Sequence, residues 1–89
     1  MAEIYAGYLL LKSDHECRSR DEELNKGSSE DECAKLCRRK EGCNFFILGK
    51  GKKQGVCYWE KTAGAMCSEG WEKDYFDFYK ILRKFSMHN

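Results

Sequence analysis

The chain has 89 residues, six cysteines, no proline and a formal net charge of +1. That length allows one domain with one modest core. The near-neutral balance selects neither nucleic acid nor an acidic membrane surface as a partner, and no apolar run approaches the ~18 residues that span a bilayer.

The opening, MAEIYAGYLLLK, carries early acidic charge and too short an apolar stretch for a signal peptide. The expectation is a module cut from a larger extracellular protein, with Met1 added for expression and neighbouring domains in the parent chain. The alternative is a cytosolic protein with reduced thiols. Within the opening, EIYAGYLLLK reads as a first strand, rich in Tyr, Ile and Leu. Residues 13 to 28, SDHECRSRDEELNKGS, are almost wholly polar and read as a loop or short turn stapled by Cys17.

A helix over about residues 30 to 41 follows. Ser29 and Glu32 have the spacing of a capping box, and Glu30 and Asp31 place negative charge at the positive end of the helix dipole. Cys33, Leu36, Cys37 and Lys40 then fall on one stripe, and Gly42 is suited to end the helix in the left-handed conformation. CNFFIL is a strand, GKGKKQG an exposed hairpin connection, and VCYWEK the returning strand. Alternation puts Val56, Tyr58 and Glu60 on one face of that strand and Cys57 and Trp59 on the other. TAGAMCSEGWEKD is a second irregular stretch, stapled by Cys67, and YFDFYKIL closes the domain as a strand before a short basic tail. The expected fold is α+β, one helix packed on an antiparallel sheet and stapled by three disulfides. Its core is expected to draw on Leu9, Leu11, Leu36, Phe46, Trp59 and Phe78.

Three chemistries compete for the cysteines. Structural zinc prefers paired C-x2-4-C knuckles or matching histidines; Cys33 and Cys37 fit its loose end, but Cys43, Cys57 and Cys67 form no second knuckle, and His15 and His88 lie near opposite ends. A thioredoxin-type redox centre needs C-x-x-C at a helix N-terminus, which this sequence lacks. Disulfides fit the even number and irregular spacing best. Cys33 and Cys37, one turn apart on one helix, can tie it to two different partners.

These motifs resemble the PAN/apple domain family: Cys33-x3-Cys37 on a capped helix, Cys43-Asn44-Phe45-Phe46 as the C-x-x-F strand, and Cys57-Tyr58-Trp59 as the next cysteine strand. GYLLL and YFDFYKI stand where the family's first and last strands belong, so the likeness spans nearly residues 1 to 89 as a single module. The resemblance implies an extracellular recognition module with its helix cradled by an antiparallel sheet. It further implies that Cys33 bonds to Cys57, Cys37 to Cys43, and Cys17 to Cys67.

No catalytic constellation stands out, and neither enzyme activity, cofactor nor metal is expected. Ser13, Asp14 and His15 are consecutive, whereas a hydrolase triad is assembled by a fold. Asp21, Glu22 and Glu23 lack the alternating ligands and glycine of a calcium loop and read as a solvated face. Residues 35 to 53 hold seven basic residues, Lys35, Arg38, Arg39, Lys40, Lys50, Lys52 and Lys53, against Glu41 alone. If the helix end and the hairpin share an edge, Arg38, Arg39, Lys50, Lys52 and Lys53 form a patch for a sulfated glycan or an acidic protein; the competing reading is that these lysines keep an exposed hairpin soluble. Among Tyr58, Trp59, Trp71, Tyr75 and Tyr79, Trp71 is the aromatic expected to be exposed and to stack on a sugar or anchor a protein. The expected function is adhesion-type recognition of a glycan or protein. The alternatives are a free-standing secreted effector or inhibitor and a cytosolic zinc-binding protein.

Overall fold

The computed structural model describes residues 7–83. Strands β1 (Tyr8–Lys12), β2 (His15–Cys17) and β3 (Asp21–Asn25) precede helix α1 (Glu30–Arg39). Strand β4 (Phe45–Gly49), a 3-10 turn (Gly51–Lys53), and strands β5 (Cys57–Glu60), β6 (Trp71–Lys73) and β7 (Phe76–Ile81) follow. Five strands form one antiparallel sheet in the order β1-β7-β4-β5-β3, and β2 pairs with β6 in a separate ribbon. This is the expected α+β fold. Residues 3 to 6 of the predicted first strand, and the basic tail from residue 84 onward, lie outside the described residues.

The helix begins as its sequence dictates. Ser29 accepts from the Glu32 backbone N–H at 3.2 Å, and the Glu32 carboxylate accepts from the Ser29 N–H at 2.9 Å. It stops at Arg39, earlier than Gly42, because Lys40 is already extended at φ −84° and ψ 123°. Gly42 is left-handed, with φ +89°, but in the turn that follows, which returns the chain to Cys43 beneath the helix.

Alternation along the central strands divides the core between two faces. On the helix side, Cys33, Ala34 and Cys37 bury against Phe46, Cys57, Tyr79 and Ile81. Two tyrosines hold the first helical turn to the sheet: Tyr8 donates to Asp31 at 2.7 Å and Tyr79 to Glu30 at 2.8 Å. Burial and the adjacent carboxylates push both hydroxyls above the usual tyrosine range. On the other side, Phe45, Ile47, Phe76 and Phe78 pack under Trp71 and the Cys17–Cys67 bridge. The sheet is therefore covered twice, by the helix and by the β2–β6 ribbon.

The pairings are Cys17–Cys67, Cys33–Cys57 and Cys37–Cys43, with no cysteine left over. Their separations of 50, 24 and 6 residues correspond to ~4, ~3.5 and ~2 kcal/mol of lost unfolded-state entropy in the chain-entropy picture. Cys33–Cys57 ties the helix to β5, Cys37–Cys43 ties its last turn to the segment entering β4, and Cys17–Cys67 ties β2 to the irregular stretch before β6.

Part of the expected core and loop assignment is corrected. Phe46 and Phe78 are fully buried, and Leu36 and Trp59 are half-buried, but Leu9 and Leu11 are 50% and 37% exposed. They lie on a strand that, among the described residues, is an edge paired only with β7, and Tyr8 is the β1 residue that enters the core, edge-on to Phe46 and Tyr79. Residues 13 to 28 are not a loop; they hold β2 and β3. Strand β3, sequence DEELN, is the opposite edge and needs only Leu24 turned inward, so its charged outer face hides it from a search for apolar alternation.

Candidate functional site

The hairpin from β4 to β5 closes tightly. Gly49 N–H donates to Val56 O at 2.8 Å, and Lys53 N–H donates to Lys50 O at 2.9 Å. This geometry turns Lys53 back across the ribbon face of the sheet, where its ammonium lies 5.0 Å from the centre of the Phe76 ring and 2.8 Å from Asp74. Beside it opens a cavity of about 380 Å³ lined by Glu16, Asp21, Lys53, Val56, Tyr58 and Phe76. Tyr58 and Phe76 form its apolar wall, ring centres 5.9 Å apart, and the carboxylates of Glu16 and Asp21 provide acceptors.

Glu60 stands behind these carboxylates. Strand pairing sets it opposite Asp21, it is 0% exposed, and Ser19 Oγ donates to its Oε2 at 2.7 Å. Its Oε1 has no hydrogen-bond partner among the described residues. Burial pushes its carboxyl up to about 8, against the opposing effect of the Ser19 hydroxyl. Burial raises Asp21 as well. Glu16 is pushed up to about 7 by burial and by Asp74, whose carboxylate is held down at about 2 by hydrogen bonds from Glu16 and Lys53. A continuous polar run thus extends from Lys53 through Asp74 and Glu16 to Asp21, Glu60 and Ser19.

The basic residues singled out in the sequence do not form one patch. Cys33 lies against Ile47 and Cys37 against Phe45, so the helix runs antiparallel to β4. Arg38 and Arg39 sit at the start of β4, where Arg38 donates to Gly7 O at 2.7 Å, and Lys50, Lys52 and Lys53 sit beyond its end. Four strand steps alone separate those ends by ~13 Å, more than the ~8 Å Debye length of physiological salt. The hairpin lysines are also matched internally. Lys50 bridges Asp14 and Asp77 at 2.9 and 2.8 Å, Lys53 holds Asp74, and Lys52 lies 5.1 Å above the Tyr75 ring.

Trp71 is half-buried: it packs edge-on against Phe78 with ring centres 4.8 Å apart, and Lys12 lies over its ring at 5.4 Å. Among the described residues, the aromatic left exposed is Tyr75, at 46%. Ser13 and Asp14 form the turn between β1 and β2 and His15 opens β2, with Asp14 at φ +63° bonded to Lys50 and Asp77 and the His15 ring against Ser13 O.

Glu16, Glu60, Asp74 and Tyr58 were not singled out as site residues by the sequence. One signal was present: alternation put Glu60 on the same face as Val56 and Tyr58, an acid on a face otherwise turned to the core. No known protein family, curated protein or solved structure matched the chain on comparison.

Proposed function

We propose that this chain is a non-enzymatic recognition module of the PAN/apple type, acting outside the cell, that holds a neutral or amino sugar in the cavity beside Lys53. The observation that carries this reading is the cavity's composition: an aromatic wall of Tyr58 and Phe76 faces the carboxylates of Glu16 and Asp21 and the Lys53 ammonium. Sugar rings offer an apolar C–H face to stack on aromatics, and hydroxyls that donate to carboxylates and accept from ammonium groups. The volume falls within the ~300–1,000 Å³ usual for small-ligand sites. Carboxylates outnumber the single ammonium, and that argues against a sulfated glycan. Pairing of every cysteine supports an oxidising, extracellular setting, and the disulfide frame holds the cavity walls in place before any ligand arrives, which lowers the ordering cost of binding.

The test is retention on immobilised neutral and amino sugars compared with heparin. Retention on one of the former, little changed by salt and lost in Tyr58→Ala and Lys53→Ser, is the expected result. Retention on heparin alone, unaffected by both substitutions, overturns the reading.

A further inference from the structure

The geometry points to a divalent-cation site, suited to calcium, formed by the carboxylates of Glu16, Asp21 and Glu60 at the inner side of this cavity. The proposal rests on the cavity reading only for its location. Each of the three residues contributes one oxygen to a cluster in which no two are more than 4.8 Å apart. Oxygens bound to one calcium at ~2.4 Å can be at most ~4.8 Å from each other, so the cluster is compact enough to share one ion. A flexible three-acid site suits calcium better than magnesium, which demands near-ideal octahedral geometry and gives up its waters reluctantly. The donors are all hard oxygens, as calcium prefers.

Glu60 supplies the second, independent observation. Its side chain has no exposed surface, yet Oε1 has no hydrogen-bond donor among the described residues. Ser19 satisfies Oε2 and fixes the carboxylate plane. A buried carboxylate oxygen without a partner is costly, and a cation shared with Glu16 and Asp21 would supply what it lacks. The nearby Lys53 ammonium does not compete for the cluster, because it is held by both oxygens of Asp74, at 2.8 and 2.9 Å. Glu16 and Asp21 line the cavity, so an ion could enter through its mouth, and water would complete the six to eight ligands that calcium takes. The three acids come from β2, β3 and the end of β5, so a bound ion would join the ribbon to the edge of the main sheet.

The test uses disulfide-intact protein stripped with EDTA, at pH 8 so that the carboxyls ionise readily, titrated with CaCl2 in a calorimeter without any sugar. The expected result is one calcium per chain, with a Kd near the ~0.1–1 mM of extracellular modules, and a higher denaturation midpoint in CaCl2. MgCl2 should bind more weakly. Glu60→Gln and Asp21→Asn should each weaken calcium binding at least about tenfold, since losing even an outer-shell partner of a metal ligand typically costs about that much. Asp21 is exposed at a strand end, so its variant keeps the fold and the comparison. Neither heat nor a midpoint shift at about 10 mM CaCl2, ten times the weak end of that range, overturns the proposal. So does calcium binding that both variants leave unchanged. Because sugar is absent, the cation site and the sugar reading can fail separately.

Discussion

Replacing Gly49 by alanine tests how tightly the β4–β5 hairpin is wrapped. Gly49 is buried, and a Cβ built on it collides with the carbonyl of Lys53, which is backbone and cannot swing aside as a side chain would. Relieving the clash means opening the turn, which strains the Gly49–Val56 and Gly55–Gly49 hydrogen bonds at 2.8 and 3.2 Å and moves Lys53 off Asp74. Overpacking of this kind costs ~1–3 kcal/mol, and the disturbed ion pair adds ~0.5 kcal/mol. Against that, alanine makes the unfolded chain less flexible and returns ~0.4–1 kcal/mol. The net expectation is a loss of ~2 kcal/mol, or ~8–16 °C in Tm for a domain of this size. Two companion variants separate the causes. A Cβ at Gly64 would meet nothing within 4 Å, and its φ is not left-handed, so Gly64→Ala should stay within ~0.5 kcal/mol of the parent. Gly27 is equally open but sits at φ +73°, so Gly27→Ala should lose ~1–2 kcal/mol from backbone strain alone. Urea unfolding of the oxidised protein, followed by circular dichroism, reads all three. A midpoint for Gly49→Ala equal to that of Gly64→Ala would refute the argument.

Cys33→Ala with Cys57→Ala should destabilise by ~2–5 kcal/mol and more than Cys37→Ala with Cys43→Ala, because the loop it releases is longer; equilibrium unfolding of the two double variants checks the order. Hydrogen bonds from Lys50 lower the Asp14 carboxyl, and those from Lys40 and Lys61 lower Glu22. A carboxylate with a depressed folded-state pKa stabilises the fold above its unfolded pKa and loses that contribution as pH falls through the folded one. Stability should therefore decline on acidification below about pH 4, near the unfolded carboxylate values, and Lys50→Ser should make the decline shallower. A denaturation midpoint profile identical in parent and variant would contradict this.

Local chemistry settled much of this protein in advance. The capping box, the stripe of Cys33 and Cys37, and the FFIL and CYWE strands follow from short-range rules of hydrogen bonding and periodicity, so helix, central strands and hairpin were legible from residue types alone. The face assignment of Val56, Tyr58 and Glu60 held for the same reason: successive side chains in a strand alternate. Other features depend on what lies across the sheet. Leu9 and Leu11 have the composition of core residues, but pairing order makes β1 an edge, and an edge strand leaves its side chains beyond the layers that cover the centre. The charged strand β3 is recognisable only once β5 is beside it. The lysines of the hairpin looked like an open positive surface because their partners, Asp14, Asp74 and Asp77, are distant in sequence; the fold brings them within hydrogen-bonding distance. The acid cluster shows the difference most clearly. Glu16, Asp21 and Glu60 share no motif, since their nearness is fixed by a ribbon, a strand register and a disulfide, and a motif can encode only neighbours that the chain itself keeps close.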